Sequence, residues 1–97
     1  MRRNQFTVSA ESVQGNADAT VTFHGLTVAE YDEWFNPLTR TTDMDVLRSH
    51  LASWEKFEDD EGHELPNPPD VGALYMHEVK ELCRLLLRGP SESGKNS

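Results

Sequence analysis

The sequence predicts a small α+β domain, mainly helical, in which an N-terminal β-hairpin is followed by three helices. Three observations predict it. Two short segments near the N-terminus alternate apolar and polar residues. Two later segments carry apolar residues at steps of three and four, and a shorter one opens on a helix-capping pattern. The 97 residues suffice for one domain and not two. Composition divides the chain into a folded domain over residues 1–90 and a disordered tail over 91–97, where no side chain has anything to bury.

Phe6-Thr7-Val8-Ser9-Ala10 and Ala19-Thr20-Val21-Thr22-Phe23 alternate strictly. Alternation places Phe6, Val8 and Ala10 on one face, and Val21 and Phe23 on one face of the second strand. The intervening segment, with Gly15-Asn16 at its middle, reads as a loop, and a hairpin is the economical connection. A lone hairpin is not stable in water, so this face has to pack on something.

Gly25 ends the second strand. Thr27-Val28-Ala29-Glu30 then has the capping-box pattern, in which the Thr hydroxyl accepts a helix-start N–H and the Glu carboxylate reaches back. The first helix is expected from Val28 to about Phe35, stopped by Asn36-Pro37. Its apolar positions Ala29, Tyr31, Trp34 and Phe35 are unevenly spaced. After a linker over 38–42, the second helix is expected from Asp43, capped by Thr42 or Asp43. Met44, Leu47, Leu51 and Trp54 would share one of its faces.

Residues 57–66 bring four consecutive acids, Glu58-Asp59-Asp60-Glu61, before Gly62, and read as a surface turn. Asn67-Pro68-Pro69 extends it as a stiff spacer. The third helix is expected over residues 70–88, with Asp70 as N-cap and Gly89-Pro90 as its stop. The expected core is Leu47, Leu51, Trp54, Leu74, Val79, Leu82 and Leu86.

Seventeen acidic residues against nine basic ones give a net charge of −8, which disfavours nucleic acid and suits a basic or apolar protein partner. The single cysteine, Cys83, excludes an intrachain disulfide. No apolar stretch reaches the length of a membrane span, and Met1-Arg2-Arg3 is followed by no apolar signal core, so the chain reads as cytoplasmic.

Catalytic chemistry finds little to stand on. His24, His50, His63, His77 and Cys83 lack zinc-ligand spacing, so the histidines read as structural. Asp59-Asp60-Glu61-Gly62 lacks the alternating oxygen ligands of a calcium loop. Cys83 flanks Leu82 on a leucine-rich helix, where a buried thiol is inert. No serine elbow, dinucleotide glycine pattern or phosphate loop is present, and no enzyme activity, metal or cofactor is expected. Large aromatics are the more informative residues. Trp54 reads as core, whereas Trp34-Phe35, beside a helix end, leave core and interface both open. The candidate partner-binding surface is Trp34 and Phe35 with Leu85 and Leu87 of the last helix, Leu87 lying off its main apolar stripe.

The order of features carries a resemblance. Val21-Thr22-Phe23-His24-Gly25-Leu26-Thr27 precedes a short acidic helix, Leu51-Ala52-Ser53-Trp54 ends a central one, and an acidic-glycine turn closes on Leu65-Pro66 before a leucine-rich helix. This layout resembles the tail assembly chaperones of long-tailed, siphovirus-like bacteriophages from about Phe6 to Asn96, with residues 54–66 the most similar block. The strand-like N-terminal segment departs from that family. The resemblance implies a protein that coats the tape measure protein, keeps it soluble in the host cytoplasm, helps tail tube subunits polymerise around it, and is absent from the mature virion. A small body with an apolar groove and abundant charge is compatible with that role, and weak repeated binding along one long partner gains from multivalency. Two other readings stay open, a minor virion structural protein such as a head–tail adaptor and a small acidic regulatory or antitoxin-type binder. The oligomeric state is open as well.

The same resemblance implies a longer form made by ribosomal slippage near the end of the gene. Ser93-Gly94-Lys95-Asn96 can be encoded by a run of G followed by a run of A. That run, with an open overlapping frame beyond it, is the nucleotide sequence expected around Gly94 and Lys95. A gene without both makes no such form.

Overall fold

The N-terminal alternation becomes a hairpin in the computed structural model, which describes residues 4–90. The tail over 91–97, with its slippage segment, and residues 1–3 lie outside the described residues. β1 (Gln5–Ser9) pairs antiparallel with β2 (Thr20–His24), setting Phe6 opposite Phe23 and Val8 opposite Val21. The connection is more ordered than a loop. It holds one helical turn, α1 (Glu11–Gln14), closed by Gly15 at φ 74°, a left-handed conformation that glycine adopts without steric cost.

α2 (Val28–Trp34) and α3 (Asp43–His50) follow, each opened by a complete capping box. Thr27 and Glu30 form the first, as read from the sequence; Thr42 and Asp45 form the second, which makes Thr42 rather than Asp43 the cap.

The second expected helix then departs from its pattern. α3 stops at His50 and the chain passes directly into β3 (Leu51–Glu55), which pairs antiparallel with the free edge of β2. Among the described residues the sheet has three strands in the order β1-β2-β3. Leu51 and Trp54 therefore belong to a strand. Three residues apart, they would face opposite sides of a regular strand. The register shifts between them: Thr22 pairs with Ser53 and Phe23 with Leu51, leaving Ala52 as the extra residue of a bulge. The bulge returns Leu51 and Trp54 to one side, where both are buried.

Trp54 is held on all sides. Its backbone N–H donates to Asn67 Oδ1 (3.1 Å) and its carbonyl accepts from Asn67 Nδ2 (2.8 Å), so one side chain stands in for a neighbouring strand. Its Nε1–H points at the carbonyls of Leu65 (3.3 Å) and Pro66 (3.2 Å). Its ring stacks on Phe57 at 4.7 Å. The acidic segment is exposed as expected, except that Phe57 at its start is fully buried.

The last helix is shorter than its periodicity suggested. Val71–Ala73 forms a 3-10 turn that Asp70 caps, the chain is extended at Leu74, and α4 (Met76–Arg88) begins only then. Leu74 is half-buried, whereas the other six expected core residues are buried. α4 lies against α3 and α1, and α3 against β2, so the helices cover the apolar side of the sheet. The other side is polar, with the Thr7 and Thr22 hydroxyls 2.7 Å apart. No helix among the described residues is long and apolar enough to cross a membrane.

Two predictions follow from this packing. Asn67→Ala strips Trp54 of two backbone partners and should cost about 1–3 kcal/mol in urea unfolding; a smaller change would place the strand's support elsewhere. Glu81 accepts hydrogen bonds from Arg84 Nε (2.9 and 3.0 Å) and from the Ser12 hydroxyl (2.6 Å), tying α4 to α1. These contacts, Arg84 first, lower its carboxyl from 4.5 to about 2. A pKa depressed on folding contributes stability that is present above about 4.5 and lost as pH falls through about 2. Glu81→Gln should therefore unfold at a lower temperature than the parent near neutral pH, and the difference should shrink across that window.

Candidate functional site

The capping box fixes the rotation of α2. Thr27 Oγ1 accepts from the Glu30 N–H (3.1 Å), and Glu30 Oε1 accepts from the Thr27 N–H (2.9 Å). The Thr27 N–H holds the Glu30 carboxyl below its ordinary range. Trp34, one turn further, points inward, and its Nε1–H donates to Asp43 Oδ1 at 3.1 Å. Trp34 is the one buried residue of α2, and positions 28, 31 and 35 stay uncovered. Val28 (79% exposed), Tyr31 (46%) and Phe35 (53%) form one apolar stripe at steps of three and four. The Tyr31 and Phe35 rings lie 4.8 Å apart, tilted at 45°, and Phe35 also stacks on the buried Trp34 at 4.8 Å.

Val28 and Tyr31 form one wall of a groove of about 1030 Å³. The end of α4 supplies the facing wall through Leu87, Gly89 and Pro90. Phe6, Leu26 and Leu86 lie between them. His50 is the polar group of the floor. It is buried, its Nδ1–H donates to the His24 carbonyl (3.2 Å), and its Nε2 lies 3.8 Å from Glu30 Oε2. That arrangement is structural: the histidine joins the end of α3 to the end of β2 and the start of α2.

The four residues expected at a binding surface divide evenly. Phe35 and Leu87 are exposed, Leu87 within the groove and Phe35 beside it on the stripe. Trp34 and Leu85 are interior, at 7% and 1% exposed. Trp34 is the anchor that turns α2 over, and Leu85 is on the α4 face that meets the core. Val28 and Tyr31 carry the site and were missed. Their signal was present as the 28, 31, 35 spacing, but it was hidden when Ala29 and Trp34 were counted with Tyr31 and Phe35 and Val28 was left out.

A second cleft, of about 650 Å³, lies by the acidic turn between Glu58, Asp60, Tyr75 and Glu78. Its carboxylates are engaged in holding the chain. Asp59 accepts from the N–H groups of Glu61 and His63, both at 2.9 Å. The Tyr75 hydroxyl donates to Asp60, and Glu78 accepts from the Tyr75 N–H (3.0 Å) and Gln14 Nε2 (3.1 Å). Among the described residues no group of three or more His, Cys, Asp or Glu side chains could hold a metal ion. Neither protein-family models, curated proteins nor solved structures match this chain.

Cys83 is buried on α4, and burial, reinforced by the nearby Asp43 carboxylate, pushes its thiol up to about 12. Thiolate is the reactive form. The native protein should be inert to a thiol reagent such as iodoacetamide near neutral pH and react on addition of denaturant. Rapid labelling of the folded chain would mean that α4 leaves the core.

Proposed function

We propose that this chain is a binding protein without catalytic activity, whose groove takes apolar helical segments of a larger partner. Its role is that of a phage tail assembly chaperone, keeping the tape measure protein soluble in the host cytoplasm while tail tube subunits assemble around it. The observation that carries the reading is the exposed Val28–Tyr31–Phe35 stripe, of which Val28 and Tyr31 line the same groove as Leu87. Apolar positions at i, i+3 and i+7 on an exposed helix face are what a helix-in-groove partner engages.

The energetics suit a weak, repeated contact. Tyr31, Phe35 and Leu87 are already about half covered, so burying the remainder of each contributes roughly 1 kcal/mol. A single site of that strength is transient. Many copies along one long helical chain hold it through multivalency and release it site by site. The net charge of −8 keeps such an assembly dissolved.

Co-expression with the tape measure protein tests the reading. The parent chain should hold the partner in the soluble fraction. Tyr31→Ser combined with Leu87→Ser should return it to the pellet while changing the chaperone's own stability by only about 0.5 kcal/mol per site. Trp34→Ala should instead destabilise the domain, by about 3–5 kcal/mol. A partner that stays fully soluble with the double variant overturns the assignment of this face, and finding the chain in purified virions overturns the chaperone role.

A further inference from the structure

We infer that the groove selects an amphipathic helix whose apolar stripe is bordered by lysine or arginine on the side that meets α2. The inference rests on the binding role proposed above and concerns the chemistry of the occupant. The charge of the α2 side carries it. From Leu26 to Leu38 the chain holds Glu30, Asp32 and Glu33 and no lysine or arginine. Asp32 is four residues from Val28, about 40° around the helix, and so borders the stripe on its solvent side. Asp32 and Glu33 are exposed, and among the described residues neither has a cationic partner within 4.0 Å.

The facing wall is uncharged, because at the end of α4 only Leu86, Leu87, Gly89 and Pro90 line the groove. The groove thus has an apolar wall on one side and an acidic border along α2 on the other. A helix seated there gains from cations beside α2 and loses from carboxylates in the same place. Like charges brought together at an interface are a strong device against wrong partners. The size is suitable: a helix about 10–12 Å across occupies roughly 400–600 Å³ per turn, so the groove accommodates about two turns.

The experiment uses the full chain and two fluorescent synthetic helices sharing one leucine stripe at i, i+3, i+4 and i+7. One is bordered by lysine, the other by glutamate, and binding is read by anisotropy. The lysine peptide should bind at least ~10-fold more tightly, and its advantage should fall with added salt. Asp32→Lys, exposed and outside the capping box, should reduce or invert the preference with an unchanged circular dichroism spectrum. Equal binding of the two peptides, or a preference indifferent to Asp32→Lys, overturns the inference. So does a self-dimer that Tyr31→Ser dissociates, because the occupant is then a second copy offering its own α4 face. A tape measure protein held soluble while neither peptide binds removes this inference and leaves the chaperone role standing. A selective groove with no effect on the tape measure protein does the reverse.

Discussion

Trp54 is the residue on which the rest of the arrangement depends. Buried on a bulged edge strand, it packs through its ring against Phe57, through Nε1 against the chain at Leu65 and Pro66, and through its backbone against Asn67. These contacts join segments that have little reason of their own to be ordered. The acidic stretch after Phe57 is too charged to form a core, yet both of its ends are tied to one indole. Residues 66–70 are thereby brought back across the sheet, and α4 starts where it can cover α3 and α1. Closing the second edge of β2 is the other half of the same event. Without β3 the backbone groups along that edge would have no ladder partner.

A comparable division of labour shapes α2. Its seven residues are too few to be stable as an isolated helix. The capping box sets its start, and Trp34, bonded to Asp43, anchors its end. Trp34 is the one buried residue of α2, and among the described residues nothing covers the rest of the helix, so Val28, Tyr31 and Phe35 stay exposed. Small domains commonly hide their aromatics; here one indole is buried in a way that leaves two other rings in solvent.

The acids fall into two populations. Around the turn, Asp59, Asp60 and Glu78 accept hydrogen bonds from backbone and tyrosine donors and serve to hold loops. On α2, Asp32 and Glu33 stand in solvent beside an apolar stripe, where they contribute to the field a partner meets. The basic residues Lys80, Arg84 and Arg88 gather on the outer face of α4, away from the groove lining.

Local chemistry was legible in the sequence. The alternation of β1 and β2, the Thr27–Glu30 box, the Asn36-Pro37 stop and the Gly89-Pro90 stop each depend on residues within a few positions of one another, and each was used as read. The misreadings share one cause. Leu47, Leu51 and Trp54 have helical spacing, but an unpaired edge of β2 competes for the same residues, and a bulge at Ala52 lets a strand bury what a helix would have buried. The apolar period over 71–86 runs through the break at Leu74 because a 3-10 turn and the helix after it bury the same side. Trp34, Phe35, Leu85 and Leu87 were read as one surface, with Leu87 off the main stripe; that Trp34 and Leu85 turn inward was not legible. That choice depends on where Asp43 and the core stand relative to each helix. The sequence by itself determined where α2 and α3 start and where α2 and α4 stop, because caps and breakers act over one turn. Tertiary structure decided which face each element turns to solvent, because that depends on partners ten to sixty residues away.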